Sequence, residues 1–349
     1  MFRQLGGKII LSLVFGVLVI AALSLVADVR KLTETLRVFK WELIPVILGL
    51  TLFNYALRFV KWQYYLRLIG VRNLRTRDSF GIYFSAFTMV MTPGKVGELL
   101  KSYQLRRVTG TPIAVSAPAI LAERMTDGLA MVALAAVGLT SVRFGWPVLV
   151  VTLVAALGAI TIVQRRPLAE RILQYGERIG PLSSRVHHLR DFYESAYELF
   201  RPRPLALAVL CGFVSWLGEC LAFYLVLIGL GLPHTHSVVI AAISILALAT
   251  LIGSASMLPG GLGVADASIA GMLLAVVASP LMTRDVAVAA ALLIRFATLW
   301  FGVLLGTVVL IAYRRHFAGL PELADLAREP QPETAAPLQP DVSGARSDD

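Results

Sequence analysis

Residues 238–278 read VVIAAISILALATLIGSASMLPGGLGVADASIAGMLLAVVA. No charged residue interrupts the stretch before Asp266, and its first part, 238–257, is long enough to cross a hydrocarbon core about 30 Å thick. A soluble core does not need so long a run. The run breaks at Leu258-Pro259-Gly260-Gly261-Leu262-Gly263 and resumes as a shorter apolar stretch to about Ala278. Unwound backbone survives in a bilayer only where protein or a water-filled cavity covers it. Residues 238–257 therefore read either as one arm of a re-entrant hairpin entered from outside or as a full crossing.

Working outward, further long apolar runs lie at 8–27, 42–60, 128–142, 146–163, 205–228 and 286–312. The 349 residues are 57% hydrophobic and 15% charged, with a mean hydropathy of +0.74. Soluble domains average about 45–50% apolar and about 25% charged. The fold class expected is an all-α polytopic membrane protein without a folded soluble domain of any size. The run 8–27 is too long for a secretory signal, and no small-residue cleavage site follows it, so it reads as a retained first span. Cys211 and Cys220 fall on opposite faces of one helix and cannot bridge; they read as small apolar filler.

The formal net charge is +10, and its location gives it meaning. Arg58, Lys61, Arg67, Arg72, Arg75 and Arg77 follow the run 42–60; Arg165, Arg166, Arg171, Arg178, Arg185 and Arg190 follow the run 146–163; Arg314 and Arg315 follow the last. The loop Gly229 to His236 has no Lys or Arg. The positive-inside rule then puts the basic loops and both termini in the cytoplasm of a plasma (inner) membrane, and topology replaces nucleic-acid binding as the meaning of the charge. Arg58 and Lys61 read as marking the inner membrane edge.

Within this scheme the segment 80–108 is odd. Phe80 to Met91 is too short to span, and it leads into Thr92-Pro93-Gly94-Lys95-Val96-Gly97-Glu98 before returning to Lys101, Arg106 and Arg107. Short half-helices meeting at a Pro/Gly break read as a re-entrant hairpin entered from the cytoplasm. The count is then about six full spans plus two re-entrant hairpins, with residues 1–318 forming one transmembrane domain. Within 164–203, Leu182, Val186, Leu189, Tyr193, Ala196 and Phe200 recur at helical spacing between Arg and Glu. This amphipathic helix either lies on the inner headgroup surface or docks on the bundle as a linker. Residues 319–349, rich in Pro, Glu and Asp, read as a disordered tail.

The two breaks share the pattern Pro-Gly-x-x-Gly, as Pro93-Gly94-x-x-Gly97 and Pro259-Gly260-x-x-Gly263. Each is followed by an acid, Glu98 or Asp266, and then by a span carrying an arginine, Arg124 or Arg295. Units that enter from opposite sides and carry matched breaks are the signature of inverted repeats around a midplane site. Unwinding exposes amides at a half-helix N-terminus, where the dipole favours an anion. Glycine lets a headgroup approach the backbone, and Lys95 adds a full charge, so a phosphate is the expected guest. The bland alternative is that the turns only close hairpins, with Lys95 reaching to the interface.

Glu123, Arg124 and Asp127 share one helical face. A charge at the bilayer centre costs about 2.5–3.5 kcal/mol on insertion scales, so three in one span need partners or water. They bind a polar headgroup, relay protons, or hold helices together as an ion-pair network. Glu219 and Arg295 are isolated in apolar spans and either serve a site or pair with each other. His234 and His236 lack a third metal ligand. Neither a Walker phosphate loop nor a nucleophile elbow nor a Cys/His cluster is present, so no metal or cofactor is expected and a transporter is favoured over an enzyme.

The ordered set Arg58-x-x-Lys61-Trp62 with Tyr65-Leu66, Thr92-Pro-Gly-Lys-Val-Gly-Glu98 with Lys101, Glu123-Arg124-x-x-Asp127, and Leu258-Pro-Gly-Gly-Leu-Gly263 resembles the lysylphosphatidylglycerol synthase transmembrane family, also called flippase-like domain proteins. The resemblance covers about residues 8–315. It implies a domain that moves a phospholipid or polyprenyl-phosphate lipid between leaflets, as proposed for the multiple peptide resistance factor. The chain departs in lacking the aminoacyltransferase domain of two-domain members, and in carrying Asp266 where relatives commonly carry Glu. Three readings follow. In the first, a lipid translocase holds an anionic headgroup on Lys95, Arg124, Arg295 and the residues of the breaks, while Glu98, Glu123, Asp127 and Asp266 gate it, relay protons or bind a cationic moiety, and Glu219 gates or relays protons. The second is an intramembrane lipid-phosphate transferase with Glu123 or Asp127 as base. The third is a non-catalytic partner of a lipid or cell-envelope synthase.

Overall fold

The computed structural model describes residues 29–92, 97–138, 146–167, 169–171 and 180–318. The expected span 8–27, the expected tail 319–349, and Pro93, Gly94 and Lys95 lie outside the described residues. Every element among the described residues is helical. They are α1 (Val29–Arg37), α2 (Ile44–Leu68), α3 (Thr76–Ser85), α4 (Leu100–Thr109), α5 (Ile113–Ala136), α6 (Trp146–Gln164), α7 (Gly180–Leu199), α8 (Pro202–Gly229), α9 (His236–Ala255), α10 (Val264–Val276), α11 (Arg284–Arg295) and α12 (Phe301–Ala318).

Local chemistry sets several of these boundaries. Pro45 and Pro202 sit in the first turns of α2 and α8, where a missing N–H costs nothing. Thr235 and Thr283 cap α9 and α11, their hydroxyls accepting from the Val238 and Val286 amides at 3.4 and 3.3 Å. Gly110, at φ 75°, ends α4 with its amide bonded back to the Arg106 carbonyl.

Among the described residues, six stretches are long and apolar enough to cross a membrane: Trp41–Leu68, Trp146–Gln164, Pro202–Gly229, His236–Ala255, Pro259–Val276 and Arg284–Arg314. This set differs from the expected one. Both arms around the second break qualify, and α9, with 20 residues, is about 30 Å long at 1.5 Å per residue. The two units are therefore unequal. The first break is flanked by short pieces, namely α3 with a 3₁₀ turn at Ala86–Met89, and then α4. Helix α5 has the length to span but carries Glu123, Arg124 and Asp127 at its middle.

Two apolar clusters build the interior. One joins α8, α9, α10 and α11 with the end of α5, and small residues such as Ala247, Ala249, Ala289 and Ala290 let these helices approach closely. The other is aromatic and joins α2, α3, α5 and α12 through Tyr55, Trp62, Tyr65, Tyr83, Phe84 and Phe87. On α12, Gly302 and Gly306 form a small-residue face against the 86–89 turn; a Cβ on Gly306 would sit 2.9 Å from the Phe84 carbonyl oxygen. Helix α6 buries only Leu149 and Ala156, and exposes Val150, Val151, Val154 and Leu157. An apolar exposed face of this kind is what lipid tails cover.

The amphipathic helix packs on the bundle with part of its apolar face. Val186, Ala196, Leu199 and Phe200 are buried, and α7 packs along α5, while Leu189 remains exposed. Cys211 and Cys220 are both free thiols, as expected from their spacing.

Candidate functional site

The charges of α5 collect a buried network from three directions. Glu123 has no exposed side-chain surface, and its carboxylate meets Lys101 Nζ at 2.7 Å, Arg58 NH2 at 3.0 Å and Arg124 NH2 at 3.0 Å. The Tyr83 hydroxyl donates to it at 3.1 Å. Asp127 accepts from Lys61 and lies 3.6 Å from Arg58 Nε and 3.5 Å from Arg124 NH2. Glu98, just past the first break, lies 3.3 Å from Arg124 Nε. Four cations thus surround three carboxylates. Buried ions of this kind are tolerable because each has an opposite charge at hand.

Arg58, Lys61 and Lys101 are the residues that sequence reasoning under-read. Lys61 is only 2% exposed and pairs with Asp127, and Arg58 reaches inward to Glu123 and Asp127, so both cations are engaged by buried carboxylates. Their spacing was the available signal, since positions 58 and 61 share a face of a helix whose neighbours are apolar. The partner acids are far away in sequence, and so the pairing itself was invisible. Aromatic faces complete the setting: Lys101 Nζ lies 4.8 Å from the Tyr83 ring centre, and the Arg58 guanidinium 5.5 Å from that of Trp216.

The second break is tied by one arginine. Arg295 Nε donates to Asp266 Oδ1 at 2.7 Å, and its NH2 donates to the Gly260 carbonyl at 2.8 Å. Asp266 also accepts from the Gly263 amide at 2.8 Å, at the start of α10. Arg295 ends α11 where the chain passes into a π-helical turn, Phe296–Trp300, a feature often found at functional sites. Arg295 and Glu219 do not pair with each other. Glu219 instead accepts from Asn54 Nδ2 at 2.7 Å.

The glycines divide by role. Gly260, Gly261 and Gly263 hold φ of 60°, 65° and 81°, a region costly for any other residue. The expectation that their amides are left open for an anion is not met at Gly97 or Gly263. The Gly97 amide donates to Thr92 Oγ1 at 2.8 Å, and Gly263 is capped by Asp266. A Cβ at Gly97 would meet that same Oγ1 at 2.5 Å. Gly97 and Gly263 therefore shape the turns, with Pro259 opening the second, rather than presenting donors to a guest.

Both units nevertheless face one cavity of about 140 Å³. Arg58, Glu98, Lys101 and Arg124 line it from the first; Gly260, Gly261 and Arg295 line it from the second; Tyr55, Trp216 and Glu219 lie between. Glu123, Asp127 and Asp266 stand behind as ion partners. A larger groove of about 560 Å³ runs from Arg124 and Asp127 past Gly128, Val151, Ala155 and Ala159 to Met257 and Leu258. The two spaces share Arg124, Trp216, Thr250, Gly253 and Ser254, so a charged chamber lies beside a mainly apolar groove between α5, α6 and α9. No cluster of three or more His, Cys, Asp and Glu residues fit to hold a metal occurs among the described residues.

The architecture is that of a multi-pass membrane protein whose charged residues converge inside its helices. A family model described as the lysylphosphatidylglycerol synthase TM region matches residues 9–306, and the chain belongs to this family. It is also similar to a "UPF0104 membrane protein" of Methanothermobacter thermautotrophicus, at 26% identity over 281 residues, covering 74% of this chain and 80% of that protein.

Proposed function

We propose that the protein moves an anionic phospholipid or polyprenyl-phosphate lipid between the leaflets of a plasma (inner) membrane. The observation that carries this is the pairing of two adjacent spaces, a chamber lined by Arg58, Arg124 and Arg295 and a mainly apolar groove that shares Arg124 and Trp216 with it. That is the outline of an amphiphile. Guanidinium groups suit phosphate oxygens, and a tail suits the groove. In this reading the two Pro-Gly units are re-entrant and inverted, and the termini are cytoplasmic. Transport proceeds without a nucleotide site of its own.

Binding of short-chain phosphatidylglycerol to the purified full chain tests the reading. Arg124→Ala and Arg295→Ala each weaken binding about tenfold or more, the scale of one lost charge-assisted hydrogen bond. Equal binding of a diacylglycerol without phosphate overturns it.

A second reading has its own support. The family description names the transmembrane region of a synthase, and a network of four cations on three carboxylates also serves as internal bracing. The protein then acts as a membrane partner of a lipid or envelope synthase, and binding is indifferent to both substitutions.

A further inference from the structure

Glu219 differs from every other buried carboxylate described. Glu98, Glu123, Asp127 and Asp266 each have a cation within 4.0 Å, whereas Glu219, 8% exposed on α8, has none among the described residues. What it has is Asn54. That side chain is completely buried; its Nδ2 donates to Glu219 Oε2 at 2.7 Å, and its Oδ1 has no donor. A buried carbonyl oxygen without a donor is uncommon and asks for one.

A carboxamide offers one donor and one acceptor along the same edge, and a carboxylic acid offers their complement. A carboxylate offers acceptors only. Binding of a single proton to Glu219 would create the donor that Asn54 Oδ1 lacks, while the existing Nδ2 bond stays in place. We propose that Glu219 and Asn54 form a proton-binding site whose occupancy is linked to that of the charged chamber. The proton arrives from bulk solvent as hydronium: its O–H bond breaks to leave water, an O–H bond forms on the Glu219 carboxylate, and the chamber gains one unit of positive charge.

The linkage rests on the headgroup reading given above. Arg58, Arg295 and Asp127 are the charges that act on Glu219; Tyr55, Glu98, Lys101 and Arg124 line the same chamber, and Cys220 follows it on α8. The wall supplied by α9 offers only Thr250, Gly253 and Ser254. Neutralising Glu219 removes a competitor for Arg58 and Arg295, so a bound anion favours the proton, and by reciprocity the proton favours the anion. The coupled movement is a proton together with an anionic headgroup.

Infrared difference spectra of the full chain in lipid, taken across a pH jump without added ligand, test the proton site. A protonated-carboxyl band is expected in wild type, absent in Glu219→Gln and shifted in Asn54→Leu. Gln suits the pocket because its amide also donates to Asn54 Oδ1. A wild-type spectrum unchanged by Glu219→Gln overturns the proton site whatever the lipid does. Dye-detected uptake on adding dioctanoyl phosphatidylglycerol tests the linkage, with about one proton expected per bound lipid in wild type and none in Glu219→Gln. Binding without uptake overturns the linkage, whereas absence of binding beside an intact Glu219 band removes the headgroup reading and leaves the proton site standing.

Discussion

Lys101 Nζ and Glu123 Oε2 lie 2.7 Å apart, and this contact fastens the helix after the first break to the middle of α5. Only 3% of the lysine side chain and none of the carboxylate side chain is exposed. Arg58 and Arg124 reach the other oxygen of the same carboxylate, so Glu123 is the hub through which α2, α4 and α5 are held. Glu123→Gln takes from Lys101 the carboxylate it pairs with, leaves Arg58 and Arg124 to Asp127 and Glu98, and should destabilise the protein by about 3–5 kcal/mol. Thermal unfolding in detergent measures it. Lys101→Met added to Glu123→Gln should recover part of the loss, because it removes the stranded charge.

Asp266 has two jobs, receiving Arg295 and capping α10 through the Gly263 amide. Asp266→Asn keeps a carbonyl oxygen for the cap but loses the charge, whereas Asp266→Ala loses both. The alanine variant should exchange its 260–266 amides faster than the asparagine variant, with about 1 kcal/mol between them for the cap. Hydrogen exchange read by mass spectrometry separates the two.

The glycines of the second break should rank by what surrounds them. Gly261→Ala places a Cβ 3.1 Å from Gly253 backbone atoms, while at Gly263 nothing lies within 4 Å. Both pay about 1–2 kcal/mol for the left-handed conformation. Only Gly261→Ala also pushes α9 away, so it should lower the unfolding temperature more than Gly263→Ala does. Equal effects would show that the close approach of the turn to α9 is unimportant.

Narrowing the groove should separate tail from headgroup. Ala155→Phe and Ala159→Phe are expected to slow movement of a two-tailed lipid severalfold, while binding of tail-less glycerol phosphate stays within twofold, about 0.4 kcal/mol. A parallel loss of both would place the headgroup in the groove rather than in the chamber.

Hydropathy made the membrane character legible, and the charges of α5, at positions 123, 124 and 127, announced themselves by sitting in a long apolar helix. The two breaks were legible too, because proline and glycine act locally. The ion pairs of Arg58 and Lys61 were hidden, since a cation near the end of an apolar run looks the same whether it meets headgroups or a distant acid. The partner of Glu219 was equally hidden. Asn54 lies 165 positions away and carries no charge to draw notice. Amide capping by Asp266 and Thr92 is hidden for the opposite reason: a side chain three or five residues away that accepts from a glycine amide leaves the same Pro-Gly pattern as an amide open to a guest.

Leaflet exchange of labelled lipids in proteoliposomes tests the central claim most directly, comparing wild type with Arg124→Ala/Arg295→Ala in protein shown to be folded. Exchange that favours anionic over zwitterionic headgroups and falls at least tenfold in the double variant is the predicted result. Equal exchange in the two proteins, or no exchange of any lipid by wild type, would contradict it.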